Sequence, residues 1–150
     1  MTAAFAGSTP YRCLSVAQFS GIATSGAYDQ ASTINVAAGG RTHTSNNTGT
    51  TTQADELVIG SYIAWDNAYT LTASAPTVIA AQVSGGNNAI AYKIVSSTGA
   101  QSTTLTTLTN TVYAVQARTF KAATGGAAAT ALPRRALDGP FYGALRGSVR

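Results

Sequence analysis

Between Asp55 and Phe120 the sequence is a succession of short apolar runs cut by turn signals, and few architectures accept that pattern. Leu57 to Trp65 is almost unbroken hydrophobic, and Val78 to Val83 opens on β-branched residues. Ala89 to Val95 alternates, with Ile90, Tyr92 and Ile94 on one face and Lys93 on the other, as the two-residue side-chain period of a strand requires. Gly85-Gly86-Asn87-Asn88 separates the last two runs; these residue types tolerate positive φ and close a tight hairpin. Turns spaced roughly 10 residues apart, with β-branched and aromatic enrichment between them, predict an all-β, antiparallel fold. The expected architecture is a β-sandwich of the jelly-roll or immunoglobulin-like class.

The remaining strands are expected as follows. Tyr11 to Phe19 carries apolar residues on both faces, which predicts a central strand. Ser20 to Ser32 is expected to be loop, and Thr33 to Ala37 a weak strand ended by Gly39-Gly40. Arg41 to Gln53 is rich in Thr and Asn and predicts a mobile loop, then one edge strand near Gly49 to Gln53. Tyr69 to Thr72 is a further short strand. Gln101 to Leu108 reads as an edge strand wetted by hydroxyls. Thr111 to Phe120 reads as a separate closing strand, with Tyr113, Val115 and Ala117 alternating with Gln116 and Arg118. Beyond Lys121 the composition turns to Ala and Gly with Pro133 and Pro140. The chain therefore divides into a sandwich over residues 1–122 and a C-terminal arm over 123–150, extended from about residue 125.

Charged residues make up 9% of the chain, against roughly 25% in an average globular protein. Threonine and serine replace them, at 23 and 13 of 150 residues. Threonine suits a strand because its branched Cβ packs on the pleat while its hydroxyl meets water. Surfaces kept wet by hydroxyls rather than charge are common among secreted, virion and cell-surface β-proteins. The net charge of +4 sits wholly in the last 30 residues, since charges balance up to Phe120. The arm's arginines are sparse, without a run of like charges, so nucleic acid is not an expected partner. No apolar run is long enough to span a membrane as a helix. No charged segment followed by an apolar stretch opens the chain, so no signal peptide is expected.

A resemblance covers residues 2–122. The segments YRCLSVAQFSGIATSGAYDQAS, TTQADELVIG, GGNNAIAYKIVSSTGAQ and VYAVQARTFKA, in that order, resemble a large family of bacterial and bacteriophage β-sandwich proteins. In that family a YSG-(V/L)-AT-x-x-P-(L/Y)-D segment, a T-x-A-x-ELV-x-G strand, an A-(Y/D)-K strand and a final ATFKA strand recur. This chain departs from the pattern at Gln18-Phe19, where an acidic-aromatic pair is common, and at Ala27, where proline is common. Family members carry further strands before the position of Thr2, so the resemblance implies a chain that begins part-way into the sandwich. It implies a fold and a surface or virion setting, and brings no catalytic residues with it.

Candidate chemistry is sparse. Cys13 stands alone, which excludes an intramolecular disulfide and a cysteine-based metal site; it reads as a small buried hydrophobe. His43 is the one histidine and is expected to be solvated in a polar loop. Asp55 and Glu56 are adjacent, so on a strand they face opposite sides and read as charged residues at the strand's start. The acidic residues are too scattered for a Ca²⁺ loop. Asn46-Asn47-Thr48 fits the N-glycosylation pattern, at a frequency near chance in a Thr-rich chain. No catalytic residue, cofactor or metal is expected. The strongest ligand candidate is Tyr62, Trp65, Asp66, Asn67 and Tyr69, where aromatic faces stack on a sugar ring and Asp and Asn bind its hydroxyls. Against it stands a core role for Trp65 and a simple turn at Asp66-Asn67.

The function expected from these features is non-enzymatic: a structural protein of an extracellular assembly, with a bacteriophage virion component (tail, fibre or decoration) first. A secreted carbohydrate-binding or adhesive module is the alternative. Expected partners are other virion or surface-assembly subunits, copies of this chain among them, with surface glycans second. An unpaired strand edge and the arm residues Arg134, Arg135, Leu137, Phe141, Tyr142, Leu145 and Arg146 are the expected assembly contacts. The expected location is the virion, the cell surface or the extracellular space.

Overall fold

The computed structural model describes residues 14–64, 70–83, 88–124 and 130–131. Its strands are β1 (Phe19–Ser20), β2 (Tyr28–Ala31), β3 (Asn35–Thr44), β4 (Asp55–Ala64), β5 (Leu71–Ala73), β6 (Val78–Gln82), β7 (Asn88–Ser96), β8 (Thr104–Lys121) and β9 (Thr130–Ala131). Seven of them form one antiparallel sheet in the order β2-β8-β4-β7-β6, with β3 and β5 also paired to β8; β1 and β9 form a separate two-stranded ribbon. No helix among the described residues is long and apolar enough to cross a membrane.

The centre of the sheet is β4. It pairs with β7 from Asp55↔Ser96 to Ile63↔Asn88, and with β8 from Glu56↔Lys121 to Ala64↔Tyr113. This register puts Val58, Gly60 and Tyr62 of β4 on the same face as Ala91 and Ala89 of β7 and Val115, Ala117 and Thr119 of β8. That face is the inner one: Val58, Tyr62, Ala89, Ala91, Ala117 and Thr119 are all fully buried.

The inner face is closed by the first half of β8. Tyr62 is paired with Val115, yet its hydroxyl donates to Thr103 Oγ1 at 3.0 Å. A straight strand from Thr104 to Val115 would separate its ends by roughly 35 Å at about 3.3 Å per residue, far beyond the reach of one tyrosine. The strand therefore folds back, and the exposed residues Leu108, Thr109 and Asn110 mark the place. Its first half pairs with β5 (Leu71↔Thr107 to Ala73↔Leu105) and with the end of β3 (Thr42↔Thr106 to Thr44↔Thr104). Leu71 of β5 and Leu105 of β8 join Tyr62, Ala89, Ala91, Tyr113 and Val115 in the core.

Several expectations need correction. The expected central strand over Tyr11 to Phe19 is reduced to Phe19–Ser20 within the described residues. The loop expected over Ser20 to Ser32 contains β2. Gly39-Gly40 does not end β3: Gly39 takes φ 76°, and the register shifts on both sides of Gly40. Glycine supplies the left-handed backbone of a bulge, and the strand continues through it. The edge strand expected at Gly49 to Gln53 is a single bridge, Thr50↔Ala100. The two strands expected over Gln101 to Leu108 and Thr111 to Phe120 are one strand of 18 residues. Trp65, residues 84–87 and the arm beyond Ala131 lie outside the described residues.

Candidate functional site

Of the proposed sugar platform, Tyr62 lies within the described residues, and it corrects that expectation. Its ring is fully buried and its hydroxyl is committed to Thr103; burial pushes the phenol up to about 12. It offers no face to a sugar. The alternation of β4 decides this, because Tyr62 is in phase with Val58 and both point inward. Trp65, Asp66, Asn67 and Tyr69 lie outside the described residues.

His43 is also not where the sequence puts it. It is fully buried on β3 rather than solvated in a loop. Its Nε2 lies 3.1 Å from Thr107 Oγ1, its Nδ1 has no hydrogen-bond partner, and its ring centroid is 4.5 Å from that of Tyr113. Burial lowers its pKa, so the neutral ring is favoured. Alternation puts His43 on the face opposite Thr42 and Thr44, but threonine is at home wet or buried, so nothing local signals which face is inside.

The fold brings two scattered acids together. Asp29 of β2 accepts from Thr52 N–H and from Thr52 Oγ1, each at 2.7 Å, and pairs with Lys121 Nζ at 3.4 Å. Burial alone would raise its pKa, but the Thr52 hydrogen bonds first, and Lys121 beside it, bring it down to about 2. Glu56 does not sit at a wet strand end. It is fully buried, and neither carboxyl oxygen has a hydrogen-bond partner. Burial first, and the neighbouring Asp29 carboxylate after it, raise its pKa. The two acids thus divide their roles, Asp29 ionised under Lys121 and Glu56 held toward its protonated form. Glu56 is closed to solvent, so this pair is a fastening between β2, β4 and the end of β8. Asp29→Asn should cost about 1.5–3 kcal/mol at neutral pH, the worth of hydrogen bonds to a charged group. Urea unfolding should show that gap closing as pH falls from 3.8 to 2, where the native-state advantage of the ionised Asp29 is lost.

The outer face of the sheet carries the exposed apolar surface. Val36 of β3, Ala114 of β8 and Ile63 of β4 are cross-strand neighbours, and strands in a sheet lie about 4.8 Å apart. Val36 is 55% and Ile63 52% exposed, with Ile34 at 61% beside the row. Further along, Phe19 of β1 meets Tyr92 edge-on at 5.2 Å, so the ribbon lies against this face there. The Val36–Ala114–Ile63 row remains open. Alternation along β3 and β4 makes these positions outward-facing, and a charge-poor sequence supplies no polar residue to fill them.

No family model, curated protein or solved structure matches this chain.

Proposed function

We propose that this chain is a non-enzymatic structural protein of an extracellular assembly, a bacteriophage virion component (tail, fibre or decoration) before any other. The carrying observation is the open row Val36–Ala114–Ile63, flanked by Ile34. Contiguous exposed apolar side chains on an otherwise hydroxyl-rich surface mark a protein contact, and the occupant we assign is a neighbouring subunit of the same assembly. The folded-over sheet, with two halves facing each other across Tyr62, Leu71 and Leu105, is read as a variant of sandwich layering. The charge-poor, threonine-rich composition and the family resemblance over residues 2–122 support the virion setting. Burial of Tyr62 weighs against the sugar platform that carried the alternative reading.

Light scattering after size exclusion tests the contact. The full chain should self-associate, and Ile63→Asp should weaken association about 10- to 100-fold, the equivalent of losing roughly 1.5–3 kcal/mol of apolar burial. Circular dichroism should remain unchanged, because Ile63 faces outward. A monomeric wild-type chain, or an Ile63→Asp chain that associates as well as wild type, overturns the assignment. Capsid and tail genes beside this one would separate a virion role from a cell-surface one.

A further inference from the structure

A second surface feature lies away from the apolar row, where the turn between β5 and β6 faces the run into β8. It is a cleft of about 240 Å³ lined by Ser74, Pro76, Thr77, Lys93, Ser102 and Thr104, with Ala75 and Thr106 completing the wall. The turn is closed by Thr77 N–H donating to Ser74 O at 3.0 Å. Lys93 is paired in register with the fully buried Val58, so it leaves β7 on the core face, and it lines the cleft.

We infer that this cleft binds a single acidic sugar unit, with Lys93 holding its carboxylate. Three observations support the ligand class. The first is an uncompensated cation. The ion pair found among the described residues joins Lys121 to Asp29, and Lys93 has no carboxylate partner there. Burial lowers the Lys93 pKa, which means that the ammonium is short of solvation and gains most from an anion brought to it. The second is the wall chemistry. Ser74, Thr77, Ser102, Thr104 and Thr106 line the cleft together with Lys93, and a hydroxyl can donate to an oxyanion or accept from a sugar hydroxyl. Thr104 and Thr106 are fixed by Thr44 at 2.9 Å and Thr72 at 2.7 Å, so part of the wall is already ordered. Ala75 and Pro76 add a small apolar rim suited to the C–H face of a ring. The third is size. The volume lies below the roughly 300–1,000 Å³ of sites that enclose drug-sized ligands. A lone cation does not make a nucleic-acid track, which needs several along a backbone.

The inference is independent of the assembly contact. It is tested by following backbone amide resonances of the full chain during titration with sodium glucuronate, glucose and sodium sulfate at equal ionic strength. Glucuronate should give saturable shifts at Thr77, Lys93, Ser102 and Thr104, while glucose should give none. Lys93→Met keeps the stem and removes the charge; it should weaken glucuronate binding at least about tenfold, the equivalent of roughly 1.4 kcal/mol, with an unchanged or higher Tm. Ser102→Ala, which removes one wall hydroxyl and leaves the charge, should weaken binding by a smaller factor. The absence of saturable shifts, equal binding of glucose, or full affinity in Lys93→Met would overturn the site. Sulfate saturating the cleft as tightly as glucuronate would overturn the sugar assignment.

Discussion

Gly60→Ala should destabilise this protein by about 3 kcal/mol, the upper end of the usual cost of overpacking a core, and lower Tm by roughly 6–12 °C in a chain of this size. Gly60 lies on the inner face of β4 between Val58 and Tyr62. A Cβ placed there meets Thr103 Oγ1, with Thr103 Cβ and Tyr62 Cε2 each at 2.9 Å. Neither neighbour can give way. Thr103 is fixed by N–H donation to Ser45 Oγ at 3.1 Å and by Ser45 N–H donating to its carbonyl at 3.0 Å. Tyr62 is bound to Thr103 through its own hydroxyl. The missing side chain is what lets the two halves of the sheet approach. Thr103→Ala removes the nearest atom, so the double variant should lose less than the sum of the single losses, by at least about 0.5 kcal/mol. Denaturant unfolding of the four proteins decides this, and strict additivity would show that the fold-back does not close on Gly60.

Glu56→Gln should stabilise the protein at pH 7, by order of 1 kcal/mol or roughly 2–4 °C in Tm, although it removes a charge from a protein that has few. A buried carboxylate without a hydrogen-bond partner carries a desolvation cost that an amide of the same shape does not. The sign follows from linkage. Because the folded-state pKa of Glu56 is raised above its ordinary 4.5, the folded protein holds its proton longer than the unfolded chain. Stability associated with Glu56 is therefore full below about pH 4.5 and is lost as pH rises through the folded pKa. His43 acts in the other direction: its lowered pKa removes stability as pH falls below 6.5. The His43 contribution is common to both proteins, so the difference between wild type and Glu56→Gln isolates the glutamate. That difference should be near zero at pH 4 and should grow toward pH 7. A variant less stable than wild type at pH 7 would mean that Glu56 is ionised and paired in the folded protein.

Local pattern carried much of the fold. The apolar runs at Leu57, Val78 and Ala89 became β4, β6 and β7, and the Gly/Asn signal between the last two joins strands that do pair as neighbours. The inward alternation of Tyr113, Val115 and Ala117 was legible because all three are apolar at period two. The phase of β4 was not legible, because Leu57, Ile59 and Ile63 on one face are as apolar as Val58 and Tyr62 on the other, and so the buried acid and the buried phenol were missed.

The sequence by itself determined that this chain is antiparallel β and which residues share a face, because the side-chain period of a strand is a local property. Only the tertiary structure decided which face is inside and who meets whom. Threonine is equally at home wet or buried, so nothing local shows that Thr103 and Thr107 are interior while Thr72 is not. Nothing local shows that β8 continues through Asn110 and changes partners there, since its folding back is set by what Tyr62, Leu71 and Leu105 bury together. Asp29, Glu56 and Lys121 lie far apart along the chain and converge because β2, β4 and β8 are neighbours in the sheet. The cleft at Lys93 arises in the same way, from a turn and a strand that meet only when the sheet closes over its own core.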